Sequence, residues 1–202
     1  MKKTVICGIP IKERIQKSVY VSSDKSLPSS DKAVYFPINS FLGCTTEEDD
    51  SLNIVLVAKK DSFCHVEKHI EEFRKEIAQM IDCNYEIAIV ETDFSQEKTV
   101  HELLLSDLID RIETGSKLIV DTTYGPKDLP VVIFTALGFA EKFLECEIEN
   151  IVYGQASFVN GEVTDTKLCD MSSLYYIGSV TNSIRHVDPE KARVMLKTIL
   201  SV

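Results

Sequence analysis

Nearly continuous apolar, β-branched runs recur along this chain with helical patterns between them, and that alternation constrains the fold more than any other feature. The runs are residues 4–9, 53–58, 85–91 and 117–121, and a further one at 148–153 follows. A strand buried on both faces has no polar side to alternate with, so such runs predict a parallel sheet covered by helices above and below. Between them, residues 64–81 carry Val66, Ile70, Phe73, Ile77 and Ile81 at helical spacing. Residues 98–113 do the same with Val100, Leu104, Leu108 and Ile112, and Gly115 follows as a stop. Residues 129–146 carry Val132, Ile133, Ala136, Phe139, Ala140 and Phe143. Strand, helix, strand, helix in order predicts right-handed βαβ units. The expected fold is therefore α/β, a Rossmann-like open parallel sheet with helices on both faces.

Two stretches break the rhythm. Residues 18–21 and 33–36 are short β-like pieces around a polar, serine-rich stretch at 22–32, which predicts a hairpin with a mobile tip. Pro37-Ile38-Asn39-Ser40 then opens a short helix. Residues 156–159 and 163–167 flank Asn160-Gly161, a dipeptide suited to the left-handed conformations of a tight hairpin turn. The expectation thus includes β-hairpin insertions near residues 18–36 and 156–167. Asp188-Pro189 reads as an N-cap with proline at the first helical position, followed by Val194, Leu196, Ile199 and Leu200 as apolar positions. Residues 1–183 are expected to form the α/β domain, and 184–202 a terminal helix or the start of a linker to an effector domain beyond Val202.

With 202 residues, 44% hydrophobic, the chain can bury one substantial core. No apolar run reaches membrane-spanning length, and residues 4–10 are too short for a signal peptide, so a cytoplasmic protein without a membrane partner is expected. The cysteines Cys7, Cys44, Cys64, Cys83, Cys146 and Cys169 form no CxxC pair and read as free thiols of a reducing compartment. A net charge of −10 opposes binding of long DNA or RNA but not of a small phosphate-bearing ligand held by a locally positive pocket or by backbone N–H groups. The histidines are His65, His69, His101 and His186. His65 and His69 are four apart on a charge-rich helix, and they and His101 read as exposed helix faces rather than metal ligands. Glu47-Glu48-Asp49-Asp50 reads as a solvated loop. No metal site is expected.

In an open parallel sheet, ligands bind at the C-terminal ends of the strands. Asp121-Thr122-Thr123-Tyr124-Gly125-Pro126-Lys127 is the exit turn of such a strand. Thr122 and Thr123 offer hydroxyls, Gly125 lets N–H groups turn toward a ligand, Lys127 brings positive charge, and the next helix begins there. The plainer reading is a strand-to-helix loop with Asp128 as helix cap. The spacing is not that of a Walker A loop, and Gly8-Ile9-Pro10 stands where a glycine-rich dinucleotide fingerprint would follow the first strand. Asp121 reads as an acceptor for its own turn rather than a catalytic base.

The run Asp-Thr-Thr-Tyr-Gly-Pro-Lys-Asp-Leu-Pro resembles the signature turn of CARF domains, the CRISPR-associated Rossmann folds. Downstream, Phe134-Thr135-Ala136-Leu137-Gly138-Phe139-Ala140-Glu141-Lys142-Phe143 is similar to that family's following helix. Ile148-Glu149-Asn150-Ile151-Val152-Tyr153-Gly154-Gln155 is similar to its next strand and turn. Tyr35-Phe36-Pro37-Ile38-Asn39-Ser40 resembles the start of its first helix, and the likeness runs over residues 3–183. It implies a homodimeric sensor of type III CRISPR antiviral defence. Such a sensor binds a cyclic oligoadenylate, cyclic tetra-adenylate or cyclic hexa-adenylate, across the dimer interface and allosterically controls a fused or partner effector, without a cofactor. The implied ligand-binding set is Gly8, Ile9, Pro10, Asn39, Ser40, Thr122, Thr123, Tyr124, Gly125, Lys127, Tyr153, Gly154 and Gln155. Lys127, the threonine hydroxyls and backbone N–H groups would hold phosphates and ribose hydroxyls, and Tyr153 and Gln155 would stack on or bond to adenine. Two alternatives stand beside this reading. One is a ring nuclease in which Thr123 and Lys127 stabilise developing charge, although no histidine or paired carboxylate stands out near the turn. The other is a nucleotide-binding α/β protein outside CRISPR biology.

Overall fold

A computed structural model of the chain describes residues 1–22, 24, 27–60, 64–183 and 188–200. It divides into two compact units, Met1–Met171 and Ser172–Val202, a division that falls ahead of the 183/184 boundary expected from sequence. The first unit holds β1 (Lys2–Gly8), α1 (Pro37–Thr45), β2 (Ser51–Lys59), α2 (Cys64–Ile77), β3 (Asn84–Thr92), α3 (Lys98–Arg111), β4 (Lys117–Asp121), α4 (Leu129–Phe143), β5 (Glu147–Val159) and β6 (Glu162–Asp170). The strands form one sheet in the order β3-β2-β1-β4-β5-β6, parallel except for the β5–β6 pair. This is the Rossmann-like α/β architecture that the alternating runs predict.

The continuous runs are buried on both faces for the stated reason. Val5, Cys7, Leu52, Ile54, Leu56, Ile119 and Val152 join one cluster with Phe41 and Leu42 of α1 and Ile70, Phe73 and Ile77 of α2. Ile6, Val55, Val57, Leu118 and Val120 alternate with them and are equally buried, as are Leu104 and Leu108 of α3 and Ile133 and Ala136 of α4. Phe36 meets Phe73 edge-on with ring centroids 5.0 Å apart, and both are 1% exposed or less. Burying one such ring is worth about 1.5–3 kcal/mol.

Several elements end earlier than their apolar periodicity. Beyond Ile77, Gln79 and Met80 donate to Glu76 and Ile77, three residues back, so the α-helix tightens into a turn. Ile112 does the same onto Ile109. At the end of α4, Glu145 takes a left-handed φ of 54° and Cys146 N–H returns to the Ala140 carbonyl, a closure usually made with glycine. The hairpin at Asn160-Gly161 forms, with φ of 53° and 85°, and β5 runs into it as one 13-residue strand. The hairpin expected near 18–36 does not form. It is reduced to one antiparallel bridge, Ser18 with Val34, while Val21 pairs in parallel with Lys167 of β6. This stretch lies beside the edge strand and pairs with itself only at that one bridge. Residues 23, 25 and 26 of its tip are outside the described residues.

The second unit contains α5 (Ser172–Ser183) and α6 (Pro189–Leu200). Asp188 caps α6 as its sequence predicts, its Oδ1 accepting from the N–H groups of Glu190 (3.0 Å) and Lys191 (3.3 Å). No helix among the described residues is long and apolar enough to cross a membrane.

Candidate functional site

The strand order creates the site's location. β1 lies between β2 and β4, so the chain winds to one side from β1 and returns to the other side at β4. Such a reversal point, at the C-terminal ends of β1 and β4, is where open α/β sheets bind their ligands. The two connections begin at Gly8-Ile9-Pro10 and at the turn 121–127. They approach closely because Gly8 has no side chain. A Cβ there would lie 2.4 Å from the Tyr124 carbonyl oxygen. Gly125 adopts a φ of +112° and sits against Leu129, so the backbone reverses sharply into α4.

Inside the turn, Asp121 is 2% exposed, and its Oδ1 accepts the Thr123 N–H at 2.7 Å as well as the Thr123 hydroxyl. The Thr123 oxygen in turn accepts the Gly154 N–H of β5 at 2.7 Å. Thr122 Oγ1 donates to the Val152 carbonyl at 3.2 Å. Both threonine hydroxyl protons are therefore engaged within the protein and are not the donors to a ligand that the sequence reading assigned them. Burial pushes the Asp121 carboxyl up to about 6, against the pull of the Thr123 hydroxyl, the Thr123 N–H and the Ile38 N–H. Asp121 thus serves its own turn, as read from sequence.

The Ile38 contact shows that Asp121 also addresses the start of α1. A second carboxylate does so more fully. Glu76 of α2 accepts the N–H groups of Tyr35 (2.8 Å) and Phe36 (3.1 Å) and the Asn39 side-chain amide (3.1 Å). Phe36, at the N-cap position, supplies no side-chain cap, so a glutamate distant in sequence takes that role. The helix end that holds pyrophosphate in dinucleotide-binding folds is here occupied by the protein's own carboxylates. Asn39 and Ser40 are 0% exposed, with Ser40 Oγ engaged by the Ser30 backbone, so these side chains brace α1 and do not face a ligand as expected. Ile9 and Pro10 are buried too, and the Ile9 N–H donates to Val57. Tyr124 points inward, its hydroxyl donating to the Tyr35 carbonyl at 2.7 Å and its ring 6.0 Å from Phe36. Burial raises its phenol and that of Tyr20 above the ordinary range. Gly154 lets β5 touch the first turn of α1, since a Cβ there would fall 2.2 Å from Pro37 Cγ.

What remains turned outward is a smaller set. Lys127 is exposed and makes no ion pair or hydrogen bond among the described residues. The N–H groups of Tyr124, Gly125 and Lys127 meet no acceptor among the described residues. Tyr153 is 38% exposed, and Gln155 is exposed two residues further along β5. Strand alternation puts both on the face opposite Gly154, the face covered by α4.

Three polar residues behave differently from their sequence readings. His69 is not an exposed helix residue: it is 1% exposed, with Nε2 2.9 Å from the Lys12 carbonyl and Nδ1 3.1 Å from Glu72, and it ties the connection after β1 to α2. Asp50 is not solvated. It is buried between Lys3 and the N-terminal amine, both at 2.9 Å. Although burial works to raise it, the Glu47 N–H and these two cations hold its carboxyl at about 2. Asp128 does not cap α4. Its Oδ1 accepts from Gln96 Nε2 at 2.8 Å, and its Oδ2 lies 2.6 Å from His101 Nε2. Burial opposes its ionisation, but these partners hold the carboxyl below its usual value. His101 is thus a partner of the residue that follows Lys127, not a bare helix face. His65 is partly exposed, and its ring stands 6.2 Å from that of His69. His186 lies outside the described residues.

Sequence reasoning missed Glu76, Gln96 and the His101–Asp128 pair. Each depends on groups brought together from segments distant in sequence, which periodicity does not register. No family model matches the chain, and no curated protein matches it at a significant level.

Proposed function

We propose that the chain is a CARF-type sensor that binds a cyclic oligoadenylate at the turn 121–127, with two copies sharing one ring across a two-fold axis. The observation that carries this reading is the turn itself. It combines the CARF-like sequence with a position at the sheet's reversal point, and with a Lys127 and three N–H groups that meet no partner among the described residues. Those groups suit a phosphodiester, which needs charge-assisted and backbone donors. Tyr153 and Gln155 suit the adenine bases, through stacking and edge hydrogen bonds. The acidic remainder of the surface favours a short, enclosed polyanion over a long one. A ring with two-fold symmetry matches a two-fold pair of identical turns, each supplying the same donors. Ring binding would then alter the relation of the two copies and pass that change to an effector.

The test is calorimetric titration of the purified protein with cyclic tetra-adenylate and cyclic hexa-adenylate. One of them is expected to bind with a stoichiometry of one ring per two chains. Absence of heat with both rings at micromolar concentrations contradicts the reading.

A further inference from the structure

The sheet treats its two edges differently. The chain covers β6 itself. The Leu168 N–H donates to the Val21 carbonyl at 3.1 Å, the Thr166 hydroxyl donates to the Val19 carbonyl at 2.7 Å, and Val21 bridges Lys167. β3, at the opposite edge, has no described segment beyond it. It pairs in parallel with β2 in continuous register from Asn84 to Thr92. The Lys60 N–H donates to the Thr92 carbonyl at 2.7 Å, so Thr92 faces β2. A strand residue sends its N–H and C=O to one side, and the next residue sends them to the other. Tyr85, Ile87, Ile89 and Glu91 therefore direct theirs away from the sheet, and these meet no partner among the described residues.

Open edges are usually kept short, bulged, or guarded by lysine or proline. β3 runs for nine residues and holds no lysine, proline or bulge. Its charges are all acidic. Glu86 and Glu91 are exposed on the strand, and Asp82 and Asp93 are exposed beside it. None of these acids forms an ion pair among the described residues; the basic Lys59 and Lys60 stand at the end of β2, one strand in. Ile87 and Ile89 pack only partly on the core cluster, and Tyr85 beside them is 37% exposed.

We propose that the outer edge of β3 docks an extended basic segment of a partner protein, which joins the sheet as a further strand. The outward N–H and C=O groups supply its main-chain hydrogen bonds. Apolar residues in the middle of the segment meet Ile87 and Ile89. Lysine or arginine towards its ends meets Glu86, Glu91 and the flanking aspartates. A second copy of this chain fits less well, because it would bring the same acids to one ribbon and its own net charge of −10. The edge is separate from the turn 121–127, so this proposal stands or falls independently of the ligand reading.

The experiment follows hydrogen exchange by nuclear magnetic resonance on the purified full chain, alone and with the synthetic peptide Arg-Lys-Val-Thr-Val-Thr-Val-Lys-Arg. In the free protein the N–H groups of Tyr85, Ile87, Ile89 and Glu91 are expected to exchange faster than those of Glu86, Ala88 and Val90. The peptide should protect the faster set. Glu91→Pro removes one outward N–H and no bond to β2, and it should weaken the peptide about fivefold, the scale of one backbone hydrogen bond. Glu86→Lys combined with Glu91→Lys should reverse the preference, so that a peptide with glutamate in place of its lysines and arginines binds better than the basic one. No protection by the basic peptide at millimolar concentration, equal affinity for Glu91→Pro, or equal binding of the basic and acidic peptides by wild type overturns the proposal. Protection of the same four N–H groups that grows with the concentration of the protein alone assigns the edge to a second copy and overturns it as well.

Discussion

Asp121 is the residue through which the site's local physics is most directly visible. Its carboxyl, at about 6, lies above the ordinary carboxylate value because burial penalises the charged form. A folded-state value above the unfolded one means that folding disfavours ionisation. Below about pH 4 the carboxyl is neutral in both states and the penalty vanishes; as pH rises through 6 the folded state must carry a buried charge, which destabilises it by about 3 kcal/mol at neutral pH. The melting temperature is therefore expected to rise when pH falls from 7.5 to 5, and Asp121→Asn should flatten that dependence. Thermal unfolding followed by circular dichroism checks this, and equal melting temperatures at both values contradict it. Asp50, held at about 2, acts in the opposite direction and only below pH 4, outside this window. The position of Asp121 at a strand end is legible in the sequence. Its titration is not, because the burial that raises it and the Ile38 N–H that opposes it arise only when α1 packs against the end of β4.

The decisive element is the N-terminus of α1. Its sequence start at Pro37 is plain, since proline fits the first helical turn. Its cap is not plain, because the local candidate is Phe36 and the real one is Glu76 on α2. Removing that carboxylate leaves two backbone donors and the Asn39 amide without an acceptor in a buried place. Glu76→Ala should therefore destabilise the fold by about 3 kcal/mol or more, with Glu76→Gln losing less because its amide oxygen still accepts. Chemical denaturation with both variants reads this, and a Glu76→Ala midpoint equal to wild type contradicts the capping role. Helix and strand identities follow from apolar period throughout the first unit. Helix ends do not, since Gln79, Met80 and Ile112 tighten the last turns inside runs that remain apolar. The 18–36 hairpin is misread for a related reason. Its residues have β character, but they divide between one bridge to each other and one to the edge at Lys167, a long-range contact that local pattern does not encode.

At the scale of the whole molecule, the six-stranded order and the acidic surface act together. The order places its reversal at the β1/β4 strand ends, and the net charge of −10 leaves Lys127 and the turn's N–H groups as a local exception. The sequence located this place from strand ends alone and assigned too many residues to the ligand. Asn39, Ser40 and the two threonine hydroxyls build the site from beneath, whereas Lys127, Tyr153 and Gln155 face outward. Calorimetric titration of wild type and Lys127→Ala with cyclic tetra-adenylate and cyclic hexa-adenylate tests the central claim most directly. Binding of one ring to wild type, weakened about tenfold or more in Lys127→Ala through loss of a charge-assisted contact, is the predicted result. No binding by wild type, or equal affinity in the variant, contradicts the assignment of the turn as the ligand site.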